Sequence, residues 1–270
     1  MHPLQYGPVC VKLVDMNLYE ALFLRKSTRK YIWEPVQPEL LAKIGTFYEE
    51  VPSLFPGIKT EIGIMDNIDR KHGPQGLFGI AAPYYLALYS EKKDKYEMNA
   101  GCICEQISLY MHTLGLGSCF LGSAKLPRKK RNRDGLEFVI MMAFGKPEGS
   151  LSRRSVDAKR LPMSKLCASK EEPKRVIREL LEAARLAPSA MNTQPWRFVV
   201  TDGRIHFFAK KQPVAIMSRW DEFNFGVLFS HILIAAEELW LDVDLIRLED
   251  ISQKEFKKSQ YVLSAVVRSE

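Results

Sequence analysis

The 270-residue sequence lacks most of the signatures that would place it quickly. Its five cysteines, Cys10, Cys102, Cys104, Cys119 and Cys167, are odd in number and form no C-x-x-C pair, so neither a disulfide framework nor a zinc site is expected. No apolar run approaches the ~20 residues of a membrane helix, and no charged leader with an apolar stretch opens the chain. A cytoplasmic protein with no membrane partner is the expectation. No G-x-G-x-x-G is present, so a bound-dinucleotide fold is not implied. Gly117 and Gly122 have P-loop spacing, but Ser123 stands where the lysine must be. His72, His112, His206 and His231 share no metal-ligand spacing, and no metal is expected. His112 and His231 fall in apolar helical runs, where a hydrogen-bonded packing role fits. Acidic residues are in deficit, 32 against 39 basic ones, for a net charge of +7. That surplus favours anionic partners, phosphate-bearing cofactors and nucleic acid alike. The densest basic run, Lys125 to Gly135, lacks interleaved aromatics and reads as a solvated loop, so nucleic acid is not an expected partner.

What is present divides the chain in two. "NLYEALFLRKSTRKYIWEPVQPELLAKIGTFYEEV" predicts helix, basic turn, extended link and helix, with Val36, Leu40, Leu41 and Ile44 on one buried face. "APYYLALYS" predicts a strand, Asn99 to Leu114 an apolar helix ended by Gly115 and Gly117, and "EFVIMMAFGKP" a covered strand after a turn at Asp134-Gly135. Ser150 to Pro173 is polar and without period. Beyond it come a one-faced helix through Val176, Ile177, Leu180, Leu181 and Ala184, a hairpin of "RFVV" and "IHFFAK" around Asp202-Gly203, a helix from Asn224 to Leu239, and a last strand, "YVLSAVVRS". The domains expected are an N-terminal extension over 1–15, a first half over 16–150, a linker over 151–173 and a second half over 174–270.

An internal repeat supports two halves. "EMNAGCICEQISLYMHTLGL" and "EFNFGVLFSHILIAAEELWL" align without a gap, so that Glu97, Asn99 and Gly101 match Glu222, Asn224 and Gly226. Upstream, Pro52-Ser53 ends one helix as Pro188-Ser189 ends another. A duplication is expected, its halves packed like the subunits of a dimer with the long helices central.

Two clusters carry possible chemistry. Arg25, Lys26, Ser27 and Arg29 offer guanidinium forks, a hydroxyl and backbone N–H groups that suit a phosphate dianion; they also suit a solvated basic turn. "PSAMNTQPW" stiffens Ser189 and Asn192 between Pro188 and Pro195. It could present amide edges to a flat heterocycle, or be a helix stop with Trp196 as core filler.

Together these clusters resemble the nitroreductase family of FMN flavoproteins. Arg-x-Ser-x-Arg and "VQPELLAKI" stand in the first half, and "AARLAPSAMNTQPWRF" stands in the second. The family's glycine turn, "LGLGSCFLG", survives only in the first half; the second reads "LWLDVDL". The resemblance runs from about Met16 to the end of the chain. It implies an α+β fold of two tandem nitroreductase-like α/β/α lobes forming an intramolecular pseudo-dimer. It also implies one composite site with one FMN per chain, the mirror site having lost its parts. Arg25, Lys26, Ser27 and Arg29 would hold the 5'-phosphate, with Lys159 and Arg160 approaching from the far side. Leu121 and Gly122 would face flavin N5 and O4, and Pro188, Ser189, Ala190 and Asn192 would line the ring edge. The implied function is ping-pong hydride transfer from NAD(P)H through flavin N5 to a nitro, quinone or similar small-molecule acceptor, with no catalytic side chain. The loops Glu49 to Lys71 and Lys210 to Trp220 would set acceptor choice, and a monomer would suffice. A non-turnover flavin-binding or redox-sensing protein, a flavin-fragmenting or dehalogenating relative, and a nucleic-acid-binding protein on a dead flavin fold are the alternatives.

Overall fold

The structure is a computed structural model that describes residues 16–74, 79–201, 203–211, 218–253 and 258–268. The expected N-terminal extension with Cys10, the turn residue Asp202 and most of the loop Lys210 to Trp220 lie outside the described residues. Helix α1 (Leu18–Leu24) opens on a reciprocal cap: Asn17 Oδ1 accepts from Glu20 N at 2.9 Å, and Glu20 Oε2 accepts from Asn17 N at 3.2 Å. Arg25 leaves the helix in extended backbone. The basic segment that follows is not the expected turn. It runs as an irregular strand, bridging Ser27 to Ser118 and Tyr31 to Pro147. Helix α2 (Pro38–Glu50) starts on a proline, whose missing N–H has no intrahelical acceptor at that position, and buries Ile44.

The first half continues through β1 (Thr60–Asp66), β2 (Tyr84–Ser90), α3 (Tyr96–Thr113), β3 (Gly117–Leu121), β4 (Asn132–Arg133) and β5 (Leu136–Gly145). Its antiparallel sheet runs β1-β2-β5-β3, with β4 hairpinned onto β5. The second half has α4 (Met163–Leu166), β6 (Cys167–Ser169), α5 (Arg175–Leu186), β7 (Trp196–Thr201), β8 (Arg204–Lys210), α6 (Asp221–Glu238), β9 (Asp242–Ile246) and β10 (Ser259–Arg268). Its sheet runs β6-β7-β8-β10-β9. Without α1, α4, β4, β6 and a one-turn helix at Glu249–Ser252, each half is helix, strand, strand, long helix, strand, strand, and each sheet puts its last strand between its second and third. No helix of the described residues is long and apolar enough to cross a membrane.

Three further segments differ from expectation. The glycine turn Leu114 to Gly122 contains β3, and Leu121 is a strand residue paired with Met141. The expected loop Glu49 to Lys71 contains the edge strand β1. There Ile62 and Ile64 alternate around Gly63, a glycine that leaves room for the Arg133 guanidinium, 2.8 Å from where a Cβ would sit. The linker contains α4 and β6, and β6 joins the second sheet parallel to β7; three residues are too few for a period to register.

Helices α3 and α6 are buried nearly all round, as central helices must be. They cross at Gly101 and Gly226. A Cβ on Gly101 would lie 2.1 Å from Phe223 O, and one on Gly226 1.9 Å from Met98 O. Gly226 follows Gly101 by 125 residues, and Phe223 follows Met98 by the same 125. The contact is therefore reciprocal, the pattern of a two-fold interface. The neighbouring asparagines act alike. Asn99 Oδ1 accepts from Ser53 Oγ at 3.0 Å and Phe55 N at 2.9 Å, and Asn224 Oδ1 accepts from Ala190 N at 2.9 Å. Each asparagine ties down the loop that ends the helix before it.

Gly101→Ala should destabilise the chain by about 3 kcal/mol or more in urea melts, because backbone cannot yield as a side chain can. Gly45→Ala, in α2 with nothing within 4 Å of its Cβ, should instead stabilise by about 0.5–1 kcal/mol.

Candidate functional site at the seam between the halves

The two sequence clusters meet where α1, α3, α5 and α6 converge. Arg25 is only 5% exposed. Its Nε donates to Ser108 Oγ at 2.7 Å and its Nη2 to Glu105 Oε2 at 3.3 Å. Glu105, wholly buried, reaches His231 Nε2 with its other oxygen at 3.0 Å, and His231 Nδ1 donates to Ala183 O at 2.8 Å. One continuous polar chain thus crosses from the basic segment of the first half to the end of α5 in the second.

Arg160 continues it. Its Nε donates to Ala187 O at 3.1 Å, its Nη2 to Leu186 O at 3.1 Å, and its Nη1 to Asn192 Oδ1 at 3.0 Å. A cation is well placed there, since the carbonyls at a helix C-terminus carry partial negative charge. Asn192 Nδ2 returns a bond to Lys159 O at 2.9 Å. The loop is braced again where Gln194 N donates to Ser189 Oγ at 2.9 Å and Gln194 Oε1 accepts from Leu161 N at 2.7 Å. Met191, Asn192 and Gln194 all take left-handed φ angles, 50°, 56° and 47°. Non-glycine residues hold that conformation only when their surroundings enforce it.

Positive charge accumulates around this chain. Burial first, then Arg153 and Arg25, pull the Arg160 pKa down to about 10. Burial, then Arg25 and Arg185, lower that of Arg153. Arg153 Nη1 is buried with no hydrogen-bond partner. Lys26 and Arg29 make no ion pair among the described residues. The end of β3 lies alongside: Ser118 Oγ is 2.8 Å from Ser108 Oγ, and the Arg25 guanidinium stands 5.8 Å from the centre of the Phe120 ring. Beyond Leu121, the face of Gly122 is covered by Trp220, whose indole nitrogen lies 3.1 Å from where a Cβ would be.

These contacts bring Arg25, Arg160, Ser189, Ala190 and Asn192 to the junction of the halves, Ser27 bridges to Ser118 of β3, and Leu121 ends β3 before Gly122, which lies against Trp220; Lys26, Arg29, Lys159 and Pro188 flank these residues in sequence. Arg25 donates to protein acceptors through Nε and Nη2, and Arg160 through Nε, Nη1 and Nη2. Sequence reasoning missed Glu105, Ser108, Arg153 and Trp220, whereas His231 has the hydrogen-bonded packing role expected of it. A glutamate inside an otherwise apolar helix was the available signal for Glu105.

A family described as "Putative TM nitroreductase" matches residues 17–236, most of the chain. The chain belongs to this family. A nitroreductase crystal structure from Thermotoga maritima is 20% identical with a TM-score of 0.63, covering 97% of this chain and 99% of its own, and establishes the common fold. A nitroreductase family protein from Clostridium difficile is 20% identical with a TM-score of 0.46 over 56% of this chain and 96% of its own. An FMN-dependent nitroreductase from the same species is 21% identical with a TM-score of 0.42 over 53% of this chain and 93% of its own. No curated protein matches.

The residues of this nitroreductase-family chain fit the phosphate end of a flavin mononucleotide by their chemistry. Lys26, Ser27, Arg29 and the unpartnered Arg153 nitrogen are donors in cationic surroundings. At the ring end, the Trp220 indole covers Gly122.

His112 gives the seam a pH signature. Burial, then Arg25, hold its pKa down to about 4, while its Nε2 lies 3.2 Å from Ser152 Oγ. The unfolded chain binds this proton more readily than the folded one. The resulting stability is complete above the unfolded value of about 6.5 and is lost as pH falls toward 4, on the order of 2–3 kcal/mol. Asp221, pushed up to about 6 by burial, works with the opposite sign over part of that window. The His112 share is therefore the difference between wild type and His112→Gln in urea melts, and the variant should lose less stability on acidification.

Proposed function

We propose that this chain is an FMN-dependent oxidoreductase of the nitroreductase type, folded as an intramolecular pseudo-dimer that binds one flavin in the seam described above. The observation that carries the reading is the union of Arg-x-Ser-x-Arg and the Pro-Ser-Ala-Met-Asn loop, from opposite halves, through Arg25–Glu105–His231 and Arg160–Asn192. The reciprocal helix crossing supports the pseudo-dimer. Family membership supports the redox class.

Lys26, Ser27, Arg29 and Arg153 bind the phosphate. Arg25 and Arg160 act through other groups: Arg25 anchors the segment that carries the donors, and Arg160 fixes the loop that lines the ring. Ser189, Ala190 and Asn192 orient the ring edge, and the N–H of Gly122 faces it. When bound, the flavin supplies two-electron transfer between NAD(P)H and a small acceptor such as a nitro compound or quinone. Because the cofactor carries the electrons, no acid–base side chain is required. One alternative is a flavin-binding protein without turnover, since the second half lacks the Arg-x-Ser-x-Arg and the glycine turn of the first.

The purified protein should be yellow and release FMN on denaturation. Arg29→Ala and Lys26→Ala should each weaken FMN binding about tenfold, whereas Ser53→Ala, in the other Pro-Ser loop, should leave it unchanged. Bleaching by NADH or NADPH under nitrogen is expected of the enzyme; a yellow protein that resists both supports the alternative. Protein that neither carries nor takes up FMN contradicts both readings.

A further inference from the structure

The two long helices end alike but for one residue. In the first half, Gly115 N donates to His112 O at 3.0 Å and Leu116 N to Met111 O at 2.9 Å; in the second, Trp240 N donates to Glu237 O at 3.1 Å and Leu241 N to Ala236 O at 2.9 Å. This paired ending requires a left-handed residue, for which glycine is the rule. Gly115 supplies it at φ 81°, and Trp240, which follows by the repeat offset of 125, is held in it at φ 55°. A tryptophan is strained there, and burial does not offset the strain, since Trp240 is 95% exposed. A strained, exposed aromatic with no return inside the chain points to a contact outside it.

The strand that follows indicates which contact. β9 comes after Trp240 as β3 comes after Gly115, again offset by 125, and each lies at the end of its sheet. The outer edge of β3 is covered. The basic segment Arg25 to Tyr31 runs beside it, bridging Ser27 to Ser118 and donating Thr28 N to Ser118 O at 2.9 Å. β9 pairs with β10 and with no other strand among the described residues, so its outer N–H and C=O groups are a template for an added strand. Around it the charge is negative. Glu237 and Glu238 are exposed and make no ion pair among the described residues; Glu238 Oε2 accepts from Asn17 Nδ2 at 3.0 Å. On β9, Asp242 and Asp244 share Arg268, the first at 3.7 Å. This acidic end stands on a chain of net charge +7, and the face of an indole attracts cations as well.

We propose that Trp240 and the free edge of β9 form a docking surface for a basic, extended segment of another protein. The segment adds to β9 as a strand, a lysine or arginine lies over the indole, and neighbouring cations meet Glu237 and Glu238. Pairing with β9 of a second copy would instead bring two acidic strands together. A colourless protein, with no flavin in the first seam, keeps this surface.

The probe is the peptide Arg-Lys-Ser-Thr-Arg-Lys-Tyr, the run that covers β3, carrying a fluorophore and titrated into the full-length chain by fluorescence anisotropy. One control peptide has glutamate at the four cationic positions. The other has proline for threonine, which removes the N–H that Thr28 donates to β3. The basic peptide should bind saturably, and each control about tenfold more weakly or worse. Trp240→Gly should weaken the basic peptide by about tenfold or more. The same variant should raise the urea midpoint, because glycine takes the left-handed position without strain; loss of a merely structural residue would lower it. Glu237→Lys, a second and fully exposed change, should also weaken binding. The proposal is overturned by no saturable binding, by a charge-reversed peptide that binds as tightly, by an affinity that Trp240→Gly leaves unchanged, or by a urea midpoint that this variant lowers. Sedimentation showing a dimer that Trp240→Gly dissociates would give the surface to a second copy and overturn it too.

Discussion

Two helix backbones that touch with no side chain between them organise this molecule. At Gly101 and Gly226 the carbonyls of Phe223 and Met98 occupy space that any Cβ would need. Such an approach permits only one register, because sliding either helix by a residue would drive a side chain into the partner's backbone. Once that register is set, Asn99 and Asn224, two positions upstream of the glycines, stand where each can hold the loop ending the preceding helix. The two sheets then flank the helix pair, and two seams open on opposite sides of the crossing. Glu-x-Asn-x-Gly in both halves is thus explained by geometry: the glycine admits the crossing and the asparagine pins the loop.

Within this shared frame the two seams differ. One contains a buried polar chain, Arg25–Glu105–His231–Ala183, with arginines crowded around it. Buried ion pairs seldom add net stability, since desolvation offsets their attraction, but an unpaired member is strongly disfavoured. The chain therefore acts as a registry device: it holds the basic segment and the end of α5 in one relative position and penalises others. Its residues are not repeated. Glu105 has Ser230 at the offset of 125, and His231 has Gln106. In the other seam the same frame carries Arg247, Lys95 and Asp221 around an open cavity. Two halves of like topology thus frame two chemically distinct clefts.

Much of this was legible in the sequence, for identifiable reasons. The apolar spacing of α5, the continuous apolar runs of β2 and β5, and the repeated Glu-x-Asn-x-Gly are consequences of burial, and burial leaves a periodic trace. β6 left none, because three residues paired to a neighbour need no pattern of their own. β1 was obscured by Gly63, which lowers strand propensity but makes room for Arg133. At the site, the motif residues could be read off, but their partners could not. Arg153 comes from an aperiodic linker, and Trp220 sits beside a segment with no readable motif. The contacts that Arg25 and Arg160 make inside the protein could not be read off at all, because they depend on Glu105 and on the carbonyls of Leu186 and Ala187.

The central claim is that one chain, by folding its two halves together, makes one cleft competent for a flavin and one that is not. Native mass spectrometry of the purified full-length protein with excess FMN tests it most directly. The account predicts a single chain carrying a single FMN. Two flavins on one chain, or flavin found only on a pair of chains, would contradict it.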